Sequence, residues 1–142
     1  MYKLYIKENI DAKDLLKECL KKDFNIFEYE IIHNEYNKPY LKNEKIYFNI
    51  SHDNGTVVLV ISDKEIGVDV EYFTTNEQNE ILNSTNKEND FTRIWVMKEA
   101  FVKMKGMGIS YGLINVDTTK IKEQIELIEN EKYLIAICKS EE

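Results

Sequence analysis

The segment Ile66-Gly67-Val68-Asp69-Val70-Glu71 constrains this chain more than any other stretch. Side chains on a strand alternate with period two. Ile66, Val68 and Val70 therefore fall on one face, and Gly67, Asp69 and Glu71 on the other. The apolar face needs a core, so the two acids project together on the opposite side. Gly67 adds no side chain beside Asp69 and leaves room for something bulky to approach. Further along, residues 89–105 have helical period. Ile94, Met97, Phe101 and Met104 form an apolar stripe with Ala100 alongside, and Trp95, Glu99 and Lys103 make an i, i+4, i+8 row at its edge. Packed near the strand, such a helix would bring Glu99 to Asp69 and Glu71.

Three carboxylates suit a hard divalent cation, Mg2+ or Mn2+, better than zinc, which favours His and Cys. Mg2+ keeps open positions for water and substrate phosphates, and Lys98 and Lys103 would be neighbouring point charges. The same residues have a plain structural reading. An Asp-x-Glu on an amphipathic strand is usually a solvated face, and Glu99 with Lys103 is an ordinary i, i+4 helix pair.

A length of 142 residues predicts one domain, 1–142, and 43% apolar content is ample for its core. The formal charge of −7 argues against general nucleic-acid binding. A polyanionic ligand would need a local basic cluster. Lys38, Lys42 and Lys45 form one candidate group and Lys98, Lys103 and Lys105 another, though solvated surface accounts for both equally. Cys19 and Cys138 lack metal-type spacing, which favours a reducing, cytoplasmic setting. The longest apolar run, Val57 to Ile61, has the length of a buried strand. Neither a membrane span nor a signal peptide is expected.

Along the chain, Tyr2 to Lys7 reads as a strand and Asp11 to Lys22 as a helix with Asp11 as N-cap. Tyr29 to His33 is a short strand, and Asn34 to Pro39 a loop. Ile46 to Ile50 and Val57 to Ile61 are strands around an Asp53-Asn54-Gly55 turn, and the 66–71 strand should extend them into an antiparallel meander. Thr74 to Asp90 is a polar connection with a short helix around Glu77 to Leu82. Gly106 is placed to end the long helix, with Gly108 extending the turn. Ile114 to Val116 is a candidate strand. Ile121 to Ile128 fits a helix by its isoleucine spacing and a strand by pairing with Tyr133 to Cys138, itself a strand. Phe48-Asn49-Ile50-Ser51-His52 delivers a hydroxyl and an imidazole at a strand end, where binding loops tend to lie.

The order of these segments resembles the 4′-phosphopantetheinyl transferase superfamily. F-N-I-S-H at 48–52 precedes I-G-V-D-V-E at 66–71, W-V-M-K-E-A-F-V-K at 95–103 and G-M-G-I-S at 106–110. The loop Glu35-Tyr36-Asn37-Lys38-Pro39-Tyr40 resembles the family's aromatic-Gly-Lys-Pro segment, with Asn37 in place of glycine. The match covers roughly residues 28 to 115 and is of the surfactin-synthetase-activator type.

The resemblance implies an α+β fold: antiparallel sheet packed on a long helix, in two pseudo-symmetric halves with the first reduced. It implies Mg2+-dependent transfer of the phosphopantetheine arm from coenzyme A to a serine of an acyl or peptidyl carrier protein, with 3′,5′-ADP released. Asp69, Glu71 and Glu99 would ligate the metal. Glu99, directly or through water, would take the serine proton, and Lys103 would stabilise the pyrophosphate, with Asp69 completing the catalytic set. Lys98, Ser51 and His52 would contact phosphates, and Tyr36, Lys38 and Pro39 would line the adenine pocket. Trp95 would pack in the site wall. The chain departs from the family where Tyr2 to Lys7 and Asp11 to Lys22 follow each other directly, without the usual basic segment for the 3′-phosphate, and in its short Thr74 to Asp90 connection. The alternatives are a non-catalytic coenzyme A or carrier-binding module and an interaction protein without ligand. Monomer and homodimer both remain open.

Overall fold

The computed structural model of the protein describes residues 1–73, 91–107 and 116–141. The described chain is α+β. Strand β1 (Tyr2–Glu8) leads into helix α1 (Ala12–Phe24), then β2 (Ile31–His33), β3 (Pro39–Leu41), β4 (Tyr47–Asp53), β5 (Thr56–Ser62) and β6 (Ile66–Tyr72). Helix α2 (Phe91–Lys105), the one-turn α3 (Thr118–Ile121), β7 (Ile125–Glu129) and β8 (Tyr133–Lys139) follow.

Two three-stranded antiparallel sheets carry the fold, ordered β1-β5-β4 and β6-β8-β7, with β2-β3 as a separate hairpin. In each sheet the strand latest in sequence lies in the centre. The expected meander therefore stops at β5: β6 crosses to the second sheet and pairs with β8, Asp69 opposite Ala136. Strand β5 is buried at all seven positions, and β1 and β4 occupy both its edges. No hydrogen-bonding edge is left for β6.

The layers run α1, sheet, sheet, α2. Leu15, Leu16 and Leu20 of α1 pack on Val57, Leu59 and Ile61 of β5. Val58 and Val60, on the other face of β5, meet Val68, Val70, Ile135 and Ile137 between the sheets. The far face of the second sheet, with Leu134, Ala136 and Cys138, receives Val96, Met97, Ala100, Phe101 and Met104 of α2. This is the alternation expected of β6: Val68 points between the sheets and Asp69 toward α2.

Local signals explain the element ends. Asp11 caps α1 by accepting from Lys13 N at 2.8 Å, and Asn25 leaves the helix in the left-handed region at φ 57°. Gly106 ends α2 at φ 68°, its amide donating to the Val102 carbonyl at 3.0 Å. Asn54 and Gly55, both at positive φ, turn the β4–β5 hairpin. The ambiguous 121–128 stretch divides: α3 ends at Ile121, a 3-10 turn spans Lys122–Gln124, and β7 pairs with β8. The short strand β3 was not expected. The helix expected at Glu77 to Leu82, Gly108 and most of the Ile114 to Val116 strand lie outside the described residues.

Candidate active site

Gly67 brings the two key segments together. A Cβ on Gly67 would lie 2.2 Å from the Ala100 carbonyl oxygen and 2.3 Å from the Met104 nitrogen. What approaches Gly67 is thus the backbone of α2. The contact sets β6 against the helix turn that carries Glu99 and Lys103.

Asp69 is buried, at 7% exposure. Its Oδ1 accepts from Ser51 Oγ at 3.2 Å, while its Oδ2 is buried without a hydrogen-bond partner. Burial is the main reason its carboxyl is pushed up to about 8; Lys103 opposes the rise, and Glu71 and Glu99 add to it. Glu99 is half-buried and raised for the same reason, with Lys103 again opposing and Glu71 adding. Burial pulls the Lys103 ammonium down, against the pull of Asp69 and Glu99, and its Nζ donates to the Ile50 carbonyl at 2.7 Å. Glu71 accepts from Trp95 Nε1 at 3.0 Å, and the Trp95 ring is exposed and does not line the cavity described below. Among the described residues, no three acidic, His or Cys side chains close into a set with metal-ligand spacing. Asp69, Glu71 and Glu99 are electrostatic neighbours of one another without forming a finished cage.

A second relationship, missed in the sequence, holds Asp69 in place. Strand β6 is an edge strand, and its free amides are satisfied by side chains of β4. Asn49 Oδ1 accepts from Val68 N at 2.9 Å, Ser51 Oγ from Val70 N at 3.1 Å, and Asp53 Oδ2 from Tyr72 N at 2.8 Å. The signal was legible as polar residues at every second position of 49–53. Ser51 therefore points inward at Asp69. His52, on the opposite face of β4, is exposed.

A cavity of about 270 Å³ opens beside this cluster. Tyr36, Lys38 and Pro39 line one side, and Glu99, Val102 and Lys103 the other. Ser51, His52 and Lys98 do not line it. A larger cavity of about 800 Å³, beyond Phe101 and Met104, mixes Lys64, Lys105 and Lys120 with Asp63, Glu65 and Glu141. Neither Glu99 nor Lys103 lines it.

A family model described as the 4′-phosphopantetheinyl transferase superfamily matches residues 65–140, more than half of the chain and the span that contains Asp69, Glu71, Glu99 and Lys103. The chain belongs to that superfamily. Similar curated proteins include the 4′-phosphopantetheinyl transferase AcpT of Escherichia coli K12, 30% identical over 77% of this chain and 65% of the relative. The transferase psf-1 of Bacillus pumilus is 36% identical over 47% of this chain and 35% of its own length. The transferase Sfp of Bacillus subtilis 168 is 31% identical over 56% of this chain and 42% of its own. The chain thus spans between about a third and two thirds of the length of these relatives. No helix among the described residues is long and apolar enough to cross a membrane.

Proposed function

We propose that this superfamily member transfers the 4′-phosphopantetheine arm of coenzyme A to a serine of an acyl or peptidyl carrier protein, releasing 3′,5′-ADP. The observation that carries the reading is Asp69: a buried carboxylate with one unpartnered oxygen, beside Lys103 and Glu99, which themselves line a cavity. A buried anion without a partner is costly. An added cation would relieve it, so the donor set fits a hard divalent metal. Asp69, Glu71 and Glu99 would hold Mg2+, or Mn2+ in its place. When bound, the metal supplies Lewis-acid neutralisation of the coenzyme A pyrophosphate.

The chain's own residues do the rest. Glu99, its carboxyl raised by burial, takes the proton from the carrier serine directly or through one water. The serine oxygen forms its bond to the phosphorus that carries pantetheine, and the bond from that phosphorus to the 3′,5′-ADP oxygen breaks. Lys103 stabilises the charge left on the departing phosphate. Tyr36, Pro39 and the methylene stem of Lys38 form the wall for the adenine. His52, exposed at the end of β4, meets the 3′-phosphate, and Lys98 contacts phosphate from the helix. Ser51 acts at one remove, by orienting the Asp69 carboxylate that would hold the metal.

In this reading residues 1–142 act as one domain in the cytoplasm. β1-α1-β4-β5 and β6-α2-β7-β8 are its two pseudo-symmetric halves. The shared strand order of the two sheets supports this, and the free, buried state of Cys19 and Cys138 supports the compartment.

The test is intact mass spectrometry of an apo carrier protein incubated with this chain, coenzyme A and Mg2+, beside EDTA and Glu99→Ala controls. The expected result is a gain of one phosphopantetheine that both controls abolish. No gain with several carriers, despite coenzyme A binding, would leave a non-catalytic binding module.

A further inference from the structure

The lysine of the adenine-side loop does not face the cavity with its charge. Lys38 is 7% exposed, and its ammonium is spent internally. Nζ donates to Glu65 Oε1 at 3.1 Å, to the Ile66 carbonyl at 3.2 Å and to the Met104 carbonyl at 3.1 Å. An ammonium has three N–H donors, so these three acceptors use all of them. The Met104 carbonyl belongs to the last turn of α2, where helix carbonyls lack intrahelical partners and a cation is favoured.

The surrounding contacts make this a joint between three elements. Tyr40 OH donates to Glu65 Oε2 at 2.7 Å, so Glu65 is held by Lys38 from the loop and by Tyr40 from β3. Asn34 Nδ2 donates to the Gly106 carbonyl at 2.8 Å, and Asn34 Oδ1 accepts from the Tyr36 and Lys38 amides at 2.9 Å each. Gly106 allows the closure. A Cβ there would meet Asn34 Nδ2 at 2.9 Å and Lys38 Cδ at 3.0 Å. The loop, the Glu65 turn before β6 and the C-terminal turn of α2 are tied at one point. Lys103, which faces the loop across the cavity, lies one residue before Met104.

We propose that Lys38 is a positioning residue: with Glu65 it locks the Asn34–Pro39 loop to the end of α2 and sets the width of the cavity, and it does not contact a phosphate. The proposal rests on the coenzyme A reading of the cavity, and it gives Glu65, which does not line that cavity, an indirect part in substrate binding through Lys38. Neutralising either partner should loosen the loop and weaken every ligand that uses it to the same degree.

The test compares the unmodified chain with Lys38→Met, Glu65→Gln and the double variant. Binding of coenzyme A and of 3′-dephospho-coenzyme A is measured by titration calorimetry, and amide hydrogen exchange is followed in the 34–40 loop without ligand. Loss of a charged hydrogen bond corresponds to about tenfold in affinity. Each single variant should show that loss for both nucleotides, the double variant should be no worse than either, and loop exchange should rise in all three. In turnover, KM for coenzyme A should rise while kcat stays within about twofold. If Lys38→Met weakens only coenzyme A and Glu65→Gln changes nothing, Lys38 is a phosphate ligand and the lock is wrong. Unchanged loop exchange in Glu65→Gln also overturns it. If the unmodified chain binds neither nucleotide, the transferase reading fails, and the exchange experiment still decides the lock.

Discussion

Gly67 and Met104 touch backbone to backbone: a Cβ on Gly67 would lie 2.3 Å from the Met104 nitrogen and 2.9 Å from its Cα. Neither atom can move aside as a flexible side chain would. Gly67→Ala must therefore push β6 and α2 apart. The expected cost is about 3 kcal/mol, the upper end for overpacking, read as a lower urea midpoint. Transfer should fall further than stability does, because Asp69 and the Glu99–Lys103 turn separate along the same line.

The acid at Asp69 makes metal-free stability depend on pH. Its folded pKa is raised from 3.8 to about 8 by burial, with Glu71 and Glu99 adding and Lys103 opposing. The folded state then holds the proton more tightly than the unfolded chain. This contribution favours folding below about pH 4 and is lost as pH rises toward about 8. Thermal melts in EDTA should show stability declining across that window. Asp69→Asn should flatten the slope, raise stability at pH 8 and abolish transfer. A slope unchanged by the substitution would remove Asp69 as its cause.

Neighbouring Ser51 and His52 should behave oppositely. Ser51→Ala leaves the Val70 amide unsatisfied in a buried place, which costs about 2 kcal/mol. His52→Ala removes an exposed side chain and should change stability by less than about 0.5 kcal/mol. Its effect should appear instead as weaker binding of coenzyme A with binding of 3′-dephospho-coenzyme A kept. Denaturant melts and titration calorimetry on both variants check the pair.

Lys103→Met removes the cation that holds the Asp69 and Glu99 carboxyls down. Both should rise further. Transfer at pH 7 should fall about 10²-fold or more, as when a charge-stabilising donor is lost. Recovery of part of that rate at higher pH would show the carboxylates as the route. A pH-independent loss would assign Lys103 to the departing phosphate alone.

Much of this was legible before the fold was known. The alternation of 66–71 marked Val68 for a core and put Asp69 on the opposite face, because a strand has only two faces. Asp11 and Gly106 marked helix ends through side-chain acceptance and positive φ, both local effects. Other features were not legible. The meander expectation failed because β6 and β5 are adjacent in sequence, while the edges of β5 were already filled by β1 and β4. Strand β3, three residues long, leaves too short a pattern to read.

The residue types of the site, their spacing and the side of each element they occupy come from the chain itself, since strand and helix periods are properties of the backbone. Which of those residues meet was decided by tertiary packing. Asn49, Ser51 and Asp53 satisfy the edge of β6 only because two sheets stack. Lys38 turns inward only because Glu65 and the Met104 carbonyl converge on it. A long flexible side chain carries no direction of its own, and the acceptors that give Lys38 one come from segments distant in sequence.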